Sequence, residues 1–154
     1  MTAESADSAG RPALPVTFRP TRTRVVLLSV GVAVFVVVAA LAVLLPKAGL
    51  GERASFVVTA FLFLGVLGLL SRPHVTADEQ GVTVVNLTTT RRLDWAEVLK
   101  VNLRPGDPWV YLDLADGTSL PAMGIQPGIA KEQAIADARA LRALAERYGN
   151  AAEG

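Results

Sequence analysis

The sequence predicts a two-helix transmembrane hairpin followed by a small α+β domain, a strongly bent antiparallel sheet capped by a C-terminal helix. Three observations carry this. Val25 to Leu45 runs 21 residues without a charge, and Phe56 to Leu70 repeats the pattern over a shorter length. From Arg72 onward, short apolar runs alternate with turn residues and end in one amphipathic helical stretch.

Composition agrees with this division. Of 154 residues 51% are hydrophobic and 19% charged, with a mean hydropathy of +0.41, whereas a soluble domain carries about 25% charged residues. The apolar surplus lies in the first half. The chain has no cysteine, which excludes disulfide frameworks, iron–sulfur clusters, thiolate zinc sites and cysteine nucleophiles. A formal charge of +1 gives nucleic-acid binding no global electrostatic support.

Residues 1–18 are rich in Ala, Ser and Pro and cannot bury enough apolar surface to order themselves. Residues 1–24 are therefore expected to be a disordered basic cytoplasmic leader. The first span, 25–45, matches the ~20 residues that cross a hydrocarbon core. Ala40-Leu41-Ala42 resembles a signal-peptidase site, but the apolar run is too long and its polar leader too extended for a cleaved signal. The second span, about 54–71, sits at the lower edge of a crossing length and also fits a re-entrant or interfacial segment.

Orientation follows the positive-inside rule. Arg19, Arg22 and Arg24 precede the first span and Arg72 closes the second, while the loop from Pro46 to Ser55 holds Lys47 and Arg53 beside Glu52. These arginines are expected to determine topology, placing both termini in the cytoplasm and the protein in the cell membrane with two spans. The spans contain no ionisable side chain, which disfavours transport by this chain alone. Ser29 with Ala33, and Gly65 with Gly68, are weak cues for helix packing.

Residues 72–154 read as the cytoplasmic domain. Val75 to Ala77 and Val82 to Leu87 flank Asp78-Glu79-Gln80-Gly81, where the glycine can supply a positive φ. Arg91 to Trp95 forms the next strand, then a turn at Trp95-Ala96-Glu97-Val98. Leu99 to Arg104 follows, with Leu99, Val101 and Leu103 on one face. Pro105 to Pro108 ends it, and Asp116-Gly117 joins Trp109–Leu114 to Thr118–Met123. About six strands in a meander result. A helix over about 129–148 aligns Ala134, Ala138, Leu141, Ala145 and Tyr148, with Gly149-Asn150 as its cap.

The order of these pieces resembles bacterial PH-domain membrane proteins related to the low molecular weight protein antigen 6 family of actinobacteria. Two spans precede the hairpin at Asp78–Val82, the turn at Trp95–Val98 and the hairpin at Leu112–Thr118. The resemblance implies a PH-like barrel, a partly open sheet pair capped by a helix, and no catalytic activity.

Candidate sites are few. Trp95 and Trp109 are expected to fill the core. Asp78 and Asp116 belong to turns, so with Asp113 they do not read as a catalytic set. His74 stands alone as a histidine in an expected exposed linker, so neither a triad nor a histidine metal pair can form. The sequon Asn86-Leu87-Thr88 falls on the cytoplasmic side. No catalytic, cofactor or metal site is predicted, and no cofactor. Arg91 and Arg92 form an adjacent basic pair that could meet headgroups or an acidic partner. Asp78 and Glu79 occupy the first hairpin, where a phosphoinositide would need basic groups, so no tight phosphoinositide binding is expected. The sequence thus reads as a non-enzymatic integral membrane module that recognises a protein partner, through a sheet edge or the groove beside the helix. The alternative is a lipid-sensing or envelope-assembly subunit acting through its hairpin.

Overall fold

The computed structural model describes residues 13–152. They form two units: Thr21–Arg72, and a second unit drawn from residues 13–20 and 73–152.

The first unit is a helical hairpin, α1 (Thr21–Leu44) and α2 (Leu50–Leu70). Both helices are long and apolar enough to cross a membrane, and little of either is buried. Their contact uses small residues other than those singled out in the sequence. Gly31 is buried, and a Cβ there would stand 3.1 Å from Leu64 and Leu67 side-chain carbons. Phe35 meets Phe61 edge-on at 4.9 Å. Ser29 and Ala33 are exposed, and a Cβ at Gly65 or Gly68 would meet open space. At the turn, Arg53 donates to the carbonyls of Leu45 and Ala48, in the loop after α1, and so ties that loop to the start of α2. Glu52 accepts from the Gly49 amide at 2.9 Å, as an N-terminal capping carboxylate does.

The second unit carries seven strands and one helix. β1 (Val16–Phe18), β2 (His74–Ala77), β3 (Gly81–Val85) and β4 (Thr90–Asp94) form one antiparallel sheet in that order. β5 (Val98–Asn102), β6 (Val110–Leu114) and β7 (Ser119–Ala122) form the other. A 3-10 turn at Trp95–Glu97 joins them, and α3 (Lys131–Ala152) follows β7. Alternation explains the layering: Val75, Ala77, Val82, Val84 and Leu93 from one sheet, with Val101, Val110, Leu112 and Leu114 from the other, meet Ala134, Ala138, Leu141, Leu144 and Ala145 of α3 in one core. The architecture is PH-like, with a C-terminal helix over a sheet pair, and the sheets do not close into a barrel among the described residues.

Several expectations are corrected. Within the leader expected over residues 1–24, Val16–Phe18 pairs with β2 and Thr21–Arg24 begin α1. Residues 1–12 lie outside the described residues. Phe18 is buried in the core, with Leu14 and Val16 packed against it, and this burial offsets the cost of ordering the segment. Gly81 does not have the expected positive φ. Its role is close approach, since a Cβ there would lie 2.1 Å from the Leu93 carbonyl oxygen. Asp116-Gly117 is a true turn, with Gly117 at φ 82°. α3 runs through Gly149-Asn150 instead of capping there.

The face expected for Leu99, Val101 and Leu103 is also broken. A register shift between Val98 and Lys100 bulges β5, so Val98 and Val101 are buried while Leu99 is 69% exposed. Trp109 is half-buried and outside the core, beside Tyr111 with ring centroids 6.5 Å apart. His74 is no exposed linker but the half-buried first residue of β2, paired with Val85.

Candidate functional site

The first hairpin is held by its own charges. Asp78 accepts from the amides of Gln80 and Gly81, and the Arg92 guanidinium grips both its oxygens at 2.9 and 3.0 Å. The hydrogen bond from Arg92 is the largest cause holding the Asp78 carboxyl below its ordinary range; burial opposes it, and the two amides add to it. Arg92 also reaches Thr83, its cross-strand neighbour, at 3.2 Å. Arg91 pairs instead with Val84, on the opposite face of the strand, and stands 3.6 Å from Asp116. Two arginines adjacent in sequence therefore point apart, each beside its own aspartate, and they do not converge on one anion.

The remaining aspartate, Asp113, accepts from Asn102 and Ser119 on the outer face of β6. Asp116 caps its turn by accepting from the Thr118 hydroxyl and amide; these bonds lower its pKa, with a smaller contribution from Arg91. The three aspartates are thus spent on separate local structures. Arg22 and Arg24 are exposed in the first turn of α1, and the Arg19 carbonyl accepts from Gln133.

A concave feature of the sheet unit lies between β5 and α3. It is a cleft of about 380 Å³ whose walls include Trp95, Leu99, Lys100, Val101, Arg142 and Glu146. Trp95 forms its floor: the ring is buried, its indole N–H donates to the Asp78 carbonyl at 2.9 Å, and it stacks near Tyr148 at 6.0 Å. Arg142 crosses from α3 and donates to the Val101 carbonyl at 2.9 Å. That carbonyl therefore points away from β6, on the outer side of the sheet, and Arg142 occupies it. Leu99 stands exposed on the lip; in the sheet unit only Leu99 and Ile129 are large hydrophobic residues exposed to this degree among the described residues.

Asn86 is the buried polar group that sequence reading left as an irrelevant sequon. Its side-chain amide donates to the Pro121 carbonyl at 2.8 Å and accepts from the Met123 amide at 3.1 Å. It thereby joins the end of β3 to the outer edge of β7. A polar residue ending a strand, followed by a turn, is the available sequence signal, but the partner 35 residues away is not visible locally.

Comparison with known proteins bears on this unit. Residues 72–144 match the family described as Bacterial PH domain. An uncharacterized protein of Mycobacterium bovis and two of Mycobacterium tuberculosis are each 36% identical over 84 residues, 54% of this chain and 54% of theirs. The chain thus spans about half the length of these curated relatives in the aligned region. No solved structure matches. The family match begins after both apolar helices, so it leaves out β1.

Proposed function

We propose that this chain is a non-enzymatic, membrane-anchored PH-like module that docks a protein partner at the cytoplasmic membrane face. The cleft between β5 and α3 carries the reading: a concave surface with an exposed leucine on its lip is one that a partner can cover. The match to bacterial PH domains supports a binding role over catalysis, and the order of spans and hairpins supports kinship with the antigen 6-like group. Tight phosphoinositide binding is disfavoured, because the first hairpin presents Asp78 and Glu79 and Asp78 already holds Arg92.

Two spans with both termini on one side are supported by β1. It precedes both apolar helices and β2 follows them, yet the two strands pair within one sheet. The exposed arginines before α1 favour the cytoplasm as that side. A second reading, assembly with other membrane helices through α2, is favoured by the open space over Gly65 and Gly68.

Photo-crosslinking of the full chain in native membranes separates the two. Crosslinkers placed at Leu99 and Glu146 should capture one discrete protein that positions Glu79 and Ser119 do not. Capture confined to Gly65 and Gly68 would replace the module with membrane assembly.

A further inference from the structure

We infer that the start of α3 is a lipid contact, where Ile129 inserts among the headgroups of an anionic bilayer and Lys131 meets their phosphates. It rests on the reading of α1 and α2 as membrane spans and adds a second attachment to theirs. Strand register identifies the end of the sheet unit concerned. Phe18 stands opposite Val75, so the chain leaves for the apolar helices through Arg19-Pro20 and returns through Pro73-His74 at one end of the sheet. Gln133, in the first turn of α3, donates to the Arg19 carbonyl at 3.3 Å, whereas Tyr148 stacks near Trp95 at 6.0 Å. The helix therefore starts beside the two chain exits and runs away from them.

Ile129 comes just before α3 and is 57% exposed. An apolar side chain this close to the exits leaves water when it enters the bilayer interface, which is favourable in proportion to the area removed. The first hairpin, by contrast, is carried away from the exits. His74 pairs with Val85, so the Asp78–Gly81 turn lies at the far end of β3, four residue steps and about 14 Å distant.

Charge follows the same polarity and selects an anionic surface. Lys131 is exposed next to Ile129 with Glu132 as its acidic neighbour, and Arg22, Arg24 and Arg72 adjoin the exits in sequence. At the far end, Asp78, Glu79, Asp94, Glu97 and Glu146 outnumber Arg92 and Arg147. The separation of about 14 Å exceeds the ~8 Å screening length at physiological salt. The acidic end therefore scarcely opposes an anionic surface at the basic one.

The test uses the full chain in lipid nanodiscs, where the absence of native cysteine lets one environment-sensitive NBD fluorophore be attached at a single introduced thiol. Gly128→Cys suits it, because Gly128 is exposed and an added Cβ meets open space. In discs of equal phosphatidylglycerol and phosphatidylcholine, emission from position 128 should shift to the blue of that from Glu79→Cys. High salt or discs of phosphatidylcholine alone should reverse the shift. With the probe at 128, Ile129→Asp should abolish it, and Lys131→Gln should lower the docked-to-undocked ratio about fivefold, the effect of one basic side chain near an anionic surface. A shift that persists in phosphatidylcholine and at high salt overturns the anionic-lipid assignment, and one that survives Ile129→Asp overturns the role of Ile129. Equal, water-like emission at 128 and 79 overturns the contact altogether. A probe at Leu62→Cys in α2 then separates the two readings: apolar emission there leaves the spans standing without this contact, and water-like emission removes both.

Discussion

Phe18 offers the sharpest test of the fold, because it belongs to the segment before the helices yet is only 5% exposed in the sheet core. Its register partner is Val75, with Thr17 opposite Thr76 and Val16 opposite Ala77. Residues 13–18 joined through Asn-Gly to residues 75–152 would therefore close an ordinary two-residue β-hairpin in place of the apolar helices. This shortened chain should fold in water, and Phe18→Ala within it should cost about 3–5 kcal/mol, the usual price of emptying a buried aromatic site. For a domain of this size each kcal/mol moves the melting temperature by about 4–8 °C, so the midpoint should fall by at least about 12 °C. Residues 75–152 alone lose Phe18, Val16 and Leu14 together and should be less stable still. Circular dichroism melts and denaturant titrations of the three chains measure this directly. If the chain without β1 melts with the same midpoint and the same denaturant slope as the chain with it, Phe18 contributes nothing to the core and the discontinuous domain is wrong.

Three further outcomes can be checked on the same shortened chain. Asn86→Ala should destabilise by about 1–3 kcal/mol by stranding the Pro121 carbonyl and Met123 amide, with a urea midpoint as the readout. Gly81→Ala should destabilise despite its ordinary φ, because the added methyl meets the Leu93 carbonyl oxygen at 2.1 Å and backbone must move; amide exchange at β3 and β4 should accelerate. Asp78 has a folded pKa below its unfolded value, so its contribution is present above the unfolded pKa and is lost as pH falls through the folded one. The acid-induced loss of stability should therefore shrink in Asp78→Asn, seen as a flatter dependence of the melting temperature on pH below about 4.

Local pattern made much of this fold legible. Uninterrupted apolar runs gave both helices, and alternation with Gly-bearing turns gave β2 through β7. The spacing of Ala134, Ala138, Leu141 and Ala145 gave the buried face of α3. Non-local pairing hid the remainder. Val-Thr-Phe at 16–18 is too short to signal a strand, and its partner lies 57 or more residues downstream. The bulge at Val98/Lys100 inverted the expected exposure of Leu99, because a single inserted residue swaps the faces of a strand and leaves no mark in composition. Arg91 and Arg92 looked like one basic site for the same reason: adjacency in sequence is opposition in a strand. The cleft was anticipated only as a groove beside the helix. Its walls depend on Arg142 reaching Val101, a contact across 41 residues.

The pairing of β1 with β2 also constrains how the apolar helices can be used. A polypeptide that crossed the bilayer once between these strands would leave Val16–Phe18 on one side and His74–Ala77 on the other, and the three register pairs between them could not form. The same holds for any odd number of crossings. Two crossings, or none, are compatible with the sheet, and α1 and α2 are each long and apolar enough to make one. The shorter second run, ambiguous by length alone, is thus tied to the first: a re-entrant α2 beside a spanning α1 would pull Phe18 out of the core. Destabilising β1 and blocking the second crossing should therefore have the same consequence for the sheet, and a glycosylation reporter after Gly154 in the Phe18→Ala chain separates them, since only a failed crossing moves that reporter to the other side.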